Sequence, residues 1–350
     1  MSDQSSGKYA QYIRPSPEQI LAWVQANFEY KTRKGGHELC ICNPFDGDTG
    51  YNFNIDTGDG LCHDWRGDGW VGKYKRTFLR FVQLYRKCTW TRAVKEVCGA
   101  STSTASLYYR LRQGDQAKEE AKEQSISLPP GSQKLLESDQ PKMAGMLMKW
   151  LRSRGVDNDH IKIYDLHHQH DNVVWPYYEY DELVYWQSRN RLNKIYRFPD
   201  ESVGVTKGMF LYGFDMVEPS DYAIVVEAIF GAHTLGEQTL ASGGAVLTPM
   251  QVRKLRALNP VKGVILSPDN DKAGIGSLAA NWELIKPYFS VYYSLPPKIE
   301  YMDSDGKKQR TKDWNELYTD AKVSLPEIRV LFEKLVKPLS ALELVSLFRS

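Results

Sequence analysis

The stretch Leu266-Ser267-Pro268-Asp269-Asn270-Asp271-Lys272-Ala273-Gly274 decides how the chain is read. Residues 263–267 form an apolar run short enough for a buried strand, and residues 274–285 carry a helical pattern. Asp269 and Asp271 therefore stand at a strand-to-helix turn, two residues apart. In an open α/β sheet such turns lie at the carboxyl ends of the strands, where ligand sites form. Ala223-Ile224-Val225-Val226-Glu227 repeats the arrangement, an apolar strand ending in a carboxylate. If the two strands are parallel, Glu227, Asp269 and Asp271 converge at one edge. Grouped carboxylates repel one another and stay ionised with a cation between them. Oxygen-only ligands favour Mg2+ or Mn2+. Such an ion activates an attacking hydroxyl and neutralises a leaving pyrophosphate. Taken alone, an Asp-x-Asp before a helix also reads as ordinary turn and cap residues.

Outward from this stretch, residues 143–153 read as helix and 172–186 as strand. A capping box at Thr248-Pro249-Met250-Gln251 opens a further helix, and 291–295 read as strand. Alternating β and α elements imply a mostly parallel sheet flanked by helices. The chain is thus expected to be α/β, in a multidomain α+β arrangement. Residues 1–112 form a small β-rich module, opened by a helix that Ser16 caps with Gln19. Residues 113–140, with the run SISLPPGSQ and an acidic balance, read as a flexible linker. Residues 141–220 form a mixed α+β subdomain, 221–325 the sheet domain, and 326–350 a C-terminal helical segment.

The whole chain has 350 residues, with 45 Lys+Arg against 43 Asp+Glu, a net charge of only +2. The balance is local, however. From Arg66 to Lys95 nine basic residues face Asp68 alone, interleaved with Trp70, Tyr74, Tyr85 and Trp90. That pattern suits a single-stranded nucleic acid, whose bases stack on aromatic rings while cations track the phosphates. No run of about 18 apolar residues exists, so no membrane span is expected. Residues 1–9 are polar, so no secretory signal is expected either. The five cysteines are then expected to be reduced thiols in a cytoplasmic compartment.

In their order along the chain, Val225-Val226-Glu227, Ala241-Ser242-Gly243-Gly244, the stretch from Ser267 to Gly274, Leu295-Pro296-Pro297 and Lys312-Asp313-Trp314-Asn315-Glu316-Leu317 resemble the Toprim domain shared by primases, topoisomerases and some nucleases. The resemblance implies that Glu227, Asp269 and Asp271 bind catalytic metal and that Asp313 is a further acid of the same site. Two positions depart from the family pattern: Ala228 where a glycine is usual, and Gly231 where an aspartate is common. Upstream, Tyr185-Trp186-Gln187-Ser188-Arg189, then Lys194-Ile195-Tyr196-Arg197, then the stretch from Thr206 to Gly213 are similar to the segment before Toprim in bacterial and phage DNA primases. That match implies template- and nucleotide-binding roles for Arg189, Lys194 and Lys207. Trp150-Leu151-Arg152-Ser153-Arg154-Gly155-Val156 resembles the start of the same core.

Cys40, Cys42, Cys62 and His63 could close a tetrahedral Zn2+ site, although Cys40-x-Cys42 is tight and Cys62-His63 are adjacent. Their surroundings, from Cys42-Asn43-Pro44-Phe45 to His63-Asp64-Trp65-Arg66-Gly67, resemble the N-terminal zinc ribbon of primases. Two readings stay open: a zinc-loaded ribbon, or a metal-free one packed around Phe45, Phe53 and Trp65.

The combined resemblance implies a phage- or plasmid-type DNA primase. It would make short RNA primers from NTPs on a single-stranded DNA template, with Mg2+ or Mn2+ and possibly Zn2+. No Walker A sequence is present, so a separate replicative helicase is expected as partner, with the C-terminal segment as its docking element. Rival readings are a Toprim nuclease using the same carboxylates, and a primase-like protein that binds single strands or a helicase without synthesis.

Overall fold

The computed structural model describes residues 14–45, 49–64, 76–99, 126–219, 221–303 and 305–349. The chain divides into two compact units, one up to residue 111 and one from residue 112.

In the first unit, α1 (Pro17–Asn27) starts on the expected capping box: Gln19 N–H donates to Ser16 Oγ, and Ser16 N–H to Gln19 Oε1. Five antiparallel strands follow in spatial order β1 (Tyr30–Arg33), β2 (Glu38–Ile41), β3 (Phe53–Asp56), β4 (Leu61–Asp64) and β5 (Arg76–Thr77). The turn between β3 and β4 is organised by Asp56, whose carboxylate accepts from the N–H groups of Gly58 and Asp59. α2 (Phe78–Arg86) and α3 (Trp90–Cys98) each start on a threonine cap and pack with α1 on one face of the sheet. Trp23, Phe53, Phe78 and Phe81 form the aromatic centre of this core. The expected turn around Asp46 to Asp48, and Trp65, Arg66, Asp68, Trp70, Lys73, Tyr74 and Lys75, lie outside the described residues.

The second unit holds two five-stranded sheets. The first is antiparallel, in order β10-β9-β8-β7-β6, with β6 (Gln133–Lys134), β7 (His167–Gln169), β8 (Asn172–Glu179), β9 (Glu182–Asn190) and β10 (Tyr196–Arg197). α4 (Pro141–Arg152) and α5 (Asn158–Ile163) lie between β6 and β7 in sequence. The second sheet runs β12-β11-β13-β14-β17, from β11 (Tyr222–Val226), β12 (Thr239–Ala241), β13 (Gly263–Leu266), β14 (Val291–Tyr293) and β17 (Lys337–Pro338). Its first four strands are mutually parallel and β17 is antiparallel. The connecting helices are α6 (Ile229–Leu235), α7 (Pro249–Leu258) and α8 (Lys272–Ile285). A separate hairpin of β15 (Glu300–Met302) and β16 (Lys308–Arg310) precedes α9 (Trp314–Thr319), α10 (Leu325–Leu335) and α11 (Ala341–Arg349). One apolar core joins the sheets through Trp175, Tyr177, Tyr212, Val226, Ile229 and Trp314. Tyr212 and Ala241 exchange both backbone hydrogen bonds, which ties the two layers at β12.

Two expectations change. Of the linker expected at 113–140, residues 113–125 lie outside the described residues, and the remainder is fastened to the antiparallel sheet although most of its residues are exposed. β6 pairs with β7, Leu135 is buried, and Ser127 O accepts from Trp186 Nε1 at 3.0 Å. Backbone groups and a few side chains share this attachment, with Lys134 paired to Asp165 at 3.0 Å and Ser138 Oγ 2.7 Å from His168 Nε2. The C-terminal segment expected at 326–350 is not one helix apart from the sheet. α10 buries Ile328 and Phe332 in the core, β17 extends the sheet, and α11 packs on α8. Lys337-Pro338 forces the break, since proline cannot continue a helix. No helix among the described residues is long and apolar enough to cross a membrane.

Candidate active site

β11 and β13 are parallel neighbours in a register that sets Val225 beside Leu266. Their chains therefore leave the sheet side by side, β11 into Glu227 and β13 into Asp269 and Asp271. Ser267 N–H donates to Val225 O at 2.8 Å, and Asp269 N–H reaches Glu227 Oε1 at 3.4 Å. Asp271 caps α8 by accepting from Gly274 N–H at 2.9 Å. Gly274 is required: a Cβ there would stand 2.0 Å from Asp269 O. Asp313 arrives from the far side of the hairpin and caps α9, accepting from Glu316 N–H at 2.7 Å. Trp314 fixes this helix start, its buried indole N–H donating to Ser267 Oγ at 2.7 Å.

These acids act on one another electrostatically. Burial first, then the charges of Asp313 and Glu227, push the Asp269 carboxyl up to about 7. Burial also raises Glu227, with Asp271 and Asp313 adding to the effect, and burial raises Asp313. Lys312 opposes the rise at all three, and Arg154 opposes it at Asp313. Like charges brought together in a partly dry edge disfavour ionisation unless a cation joins them.

The basic residues are distributed unevenly around this edge. Arg189, on β9, is buried, with its guanidinium 5.5 Å from the rings of Trp150 and Phe230 and 5.6 Å from Tyr196. Its Nε is buried without a hydrogen-bond acceptor, and burial lowers its affinity for the proton. Arg154 shares the Phe230 ring at 5.5 Å and donates to Asn315 beside Asp313. Phe230 itself lies three residues beyond Glu227, in the first turn of α6. Lys207 lies along the loop after β12: a Cβ on Gly243 would meet its Cδ at 2.7 Å, and Gly243 N–H donates to Glu227 O at 2.8 Å. Lys194 is different. It is exposed in the β9–β10 turn with φ 56°, and makes no hydrogen bond or ion pair to the carboxylates. Arg154, Phe230 and Lys312 were not legible as site residues. Lys312 carried a signal in its adjacency to Asp313, and Arg154 in the stretch that resembles the start of the core.

In the first unit the proposed zinc ligands are not brought together. The register aligns Leu39, Ile55 and Cys62 across β2, β3 and β4, and aligns Cys40, Asn54 and His63 beside them. Side chains alternate between sheet faces. Cys62 therefore points into the core with Leu39 and Ile55, while Cys40 and His63 occupy the opposite face. Cys42 shares the parity of Cys40, beyond the end of β2. The register thus does not gather Cys40, Cys42, Cys62 and His63 on one face of the sheet. Of the basic patch on this unit, Arg80 is buried against Gln83, and Arg86 bonds Glu96 and Asn27. Among the described residues, no group of three or more Asp, Glu, His or Cys side chains is gathered closely enough to hold a metal ion, the acids of the sheet edge included.

No family model matches the sequence, and no curated protein does. Solved structures do. The chain is similar to DNA primases of bacteria and a phage. It matches the zinc-binding and RNA polymerase domains of the Aquifex aeolicus primase at 16% identity, covering 95% of this chain and 89% of that one, with a TM-score of 0.45. It matches the DnaG primase catalytic domain bound to ssDNA at 17% identity, over 70% and 86% of the two chains, with a TM-score of 0.46. The primase fragment of the bacteriophage T7 primase-helicase protein matches at 16% identity over 48% and 68%, with a TM-score of 0.39.

Proposed function

We propose that the chain is a DNA primase that joins NTPs into short RNA primers on a single-stranded DNA template. One observation supports the reading: Glu227, Asp269 and Asp271 follow neighbouring parallel strands at one sheet edge, and with Asp313 they lie near enough to act on one another's ionisation. The donor set is all oxygen, which fits a hard divalent cation. Mg2+ commonly takes one or two carboxylates and completes its shell with water and substrate phosphate, so a closed protein cage is not required. Held by Glu227, Asp269 and Asp271, with Asp313 beside them, such an ion would neutralise the triphosphate and make the initiating hydroxyl more acidic.

The chain's own residues have separable tasks in this reading. Lys312 and Arg154 offset negative charge at the rim, where an incoming triphosphate adds more. Arg189, clamped between aromatic rings, is a pre-oriented phosphate contact that loses little freedom on binding. Lys207 reaches the same edge along the Gly243 loop. Lys194, exposed on its hairpin, suits the template strand further out. The first unit is assigned to template selection, and a separate helicase is the expected partner for opening the duplex.

The test is template-dependent incorporation of labelled NTPs with Mg2+ or Mn2+. Wild-type protein should yield primers, and Asp269→Ala should lose at least about 10²-fold, the scale of removing one main electrostatic stabiliser. Absence of product across many templates would remove the primase reading. Strand cleavage that disappears in Asp269→Ala would instead favour a nuclease.

A further inference from the structure

The parallel sheet sets Glu227, Asp269 and Asp271 in place, yet it does not contain Asp313. That residue returns to the edge 42 positions after Asp271, beyond Pro296-Pro297 and the β15–β16 hairpin. Its alignment with the other acids therefore needs a link outside the strand ladder.

Asn270 supplies that link. It stands between the two aspartates of the loop after β13 and makes two outward bonds. Its backbone N–H donates to Lys312 O at 2.6 Å, and its side-chain Nδ2 donates to Pro296 O at 2.8 Å. Pro296 and Lys312 are the two feet of the hairpin. The feet are locked to each other by Thr311, which is wholly buried. Thr311 N–H donates to Ile299 O at 3.0 Å, its Oγ1 donates to Pro297 O at 2.7 Å, and Ile299 N–H donates to Thr311 Oγ1 at 2.9 Å. One residue, through its backbone N–H at Lys312 and its neutral side chain at Pro296, thus holds the acidic loop against both ends of the segment that delivers Asp313.

We infer that Asn270 is a positioning residue for the divalent cation: it sets the separation of Asp269 and Asp271 from Asp313 by clasping both feet of the β15–β16 hairpin. The chemistry requires an uncharged donor. Alanine keeps the backbone bond and loses the bond to Pro296 O, leaving that carbonyl unpaired. Aspartate would put a third negative charge between the two acids and face Pro296 O with an acceptor. The hairpin is then a spacer whose base, rather than its tip, acts on the site.

The inference rests on the metal-binding reading of this edge, so the experiment separates the two. Mn2+ binding to the full chain is followed by electron paramagnetic resonance for wild type, Asp269→Ala, Asn270→Ala and Thr311→Val, well below each melting point. Wild type should bind and Asp269→Ala should not. Asn270→Ala should weaken binding about tenfold, the usual cost of losing a group that orients metal ligands. Thr311→Val should weaken it in the same direction, and the double variant by less than the product of the two. In primer synthesis, the Mn2+ half-saturation of Asn270→Ala should rise while the NTP KM at saturating metal stays put. A residue that only stabilised the fold would lower Tm and leave the half-saturation unmoved. Wild-type affinity in Asn270→Ala overturns the role of Asn270 and leaves the metal reading intact. A wild type that binds no Mn2+ removes the metal reading, and this inference with it. If Asn270→Ala fails to fold, Asn270→Ser and Thr311→Val carry the same comparison.

Discussion

Asp269 shows how far a single residue's environment departs from its sequence context. Its carboxyl titrates near 7 because burial and two neighbouring acids favour the neutral form, whereas an unfolded aspartate titrates near about 3.9. Between those values the folded chain holds a proton that the unfolded chain has released. The stability contributed by Asp269 is therefore complete below about pH 4 and is lost as pH rises through about 7. Asn carries no such titration. Without divalent cations, the Tm of Asp269→Asn should gain on wild type as pH goes from 5 to 8, and saturating Mg2+ should shrink the gap. A difference that stays flat across that range would contradict the shared carboxylate site. The acids themselves were legible because each ends an apolar run or opens a helix. Their surroundings were not. Arg154 lies 73 positions before Glu227, and only the packing of both Arg154 and Phe230 against the edge makes it a neighbour.

At the scale of elements, periodicity located strands and helices well, since β11, β13 and α8 are bounded by turn and cap residues that announce themselves. Strand order and register were out of reach. The Cys62 result makes the reason concrete. Cys40 and Cys42 share a parity that the sequence reveals, but the face of Cys62 depends on which residue of β3 it stands beside, and that pairing is set by the intervening turns. Cys62 is consequently a core residue. Cys62→Ala should cost about 1 kcal/mol, as a one-atom truncation of a buried side chain does. Elemental analysis should find the zinc content of the variant the same as that of wild type. A stoichiometric loss of zinc in Cys62→Ala would restore it as a ligand. The linker expectation failed for a related reason. Residues 126–140 are held by strand pairing with β7, a buried leucine, and contacts of Lys134 and Ser138 with Asp165 and His168, partners that only the fold brings near.

The whole molecule comprises two units, each with its own core. The carboxylates, Lys312, Arg154, Arg189 and Lys207 all belong to the second. A fragment of residues 126–350 should therefore melt in one cooperative transition and bind Mn2+ as the full chain does. Calorimetry and the resonance titration check this, and a fragment that folds without binding would place part of the site in the first unit. The near-zero net charge acquires a local meaning at this scale. Screening at moderate salt confines each charge to about 10 Å, so a carboxylate edge and its cationic rim act separately from the chain total.

The parallel sheet is covered in part at both margins. At one, both backbone groups of Ala241 in β12 are taken by Tyr212. At the other, β14 is covered by the two residues of β17, one of them a proline that cannot donate to a further strand. Open margins are where sheets recruit strands from other chains and seed aggregation. This protein has narrowed that route while leaving its strand ends, perpendicular to those margins, available for chemistry. Backbone pairing between copies through this layer is thereby hindered, and a destabilised β17 would weaken that protection.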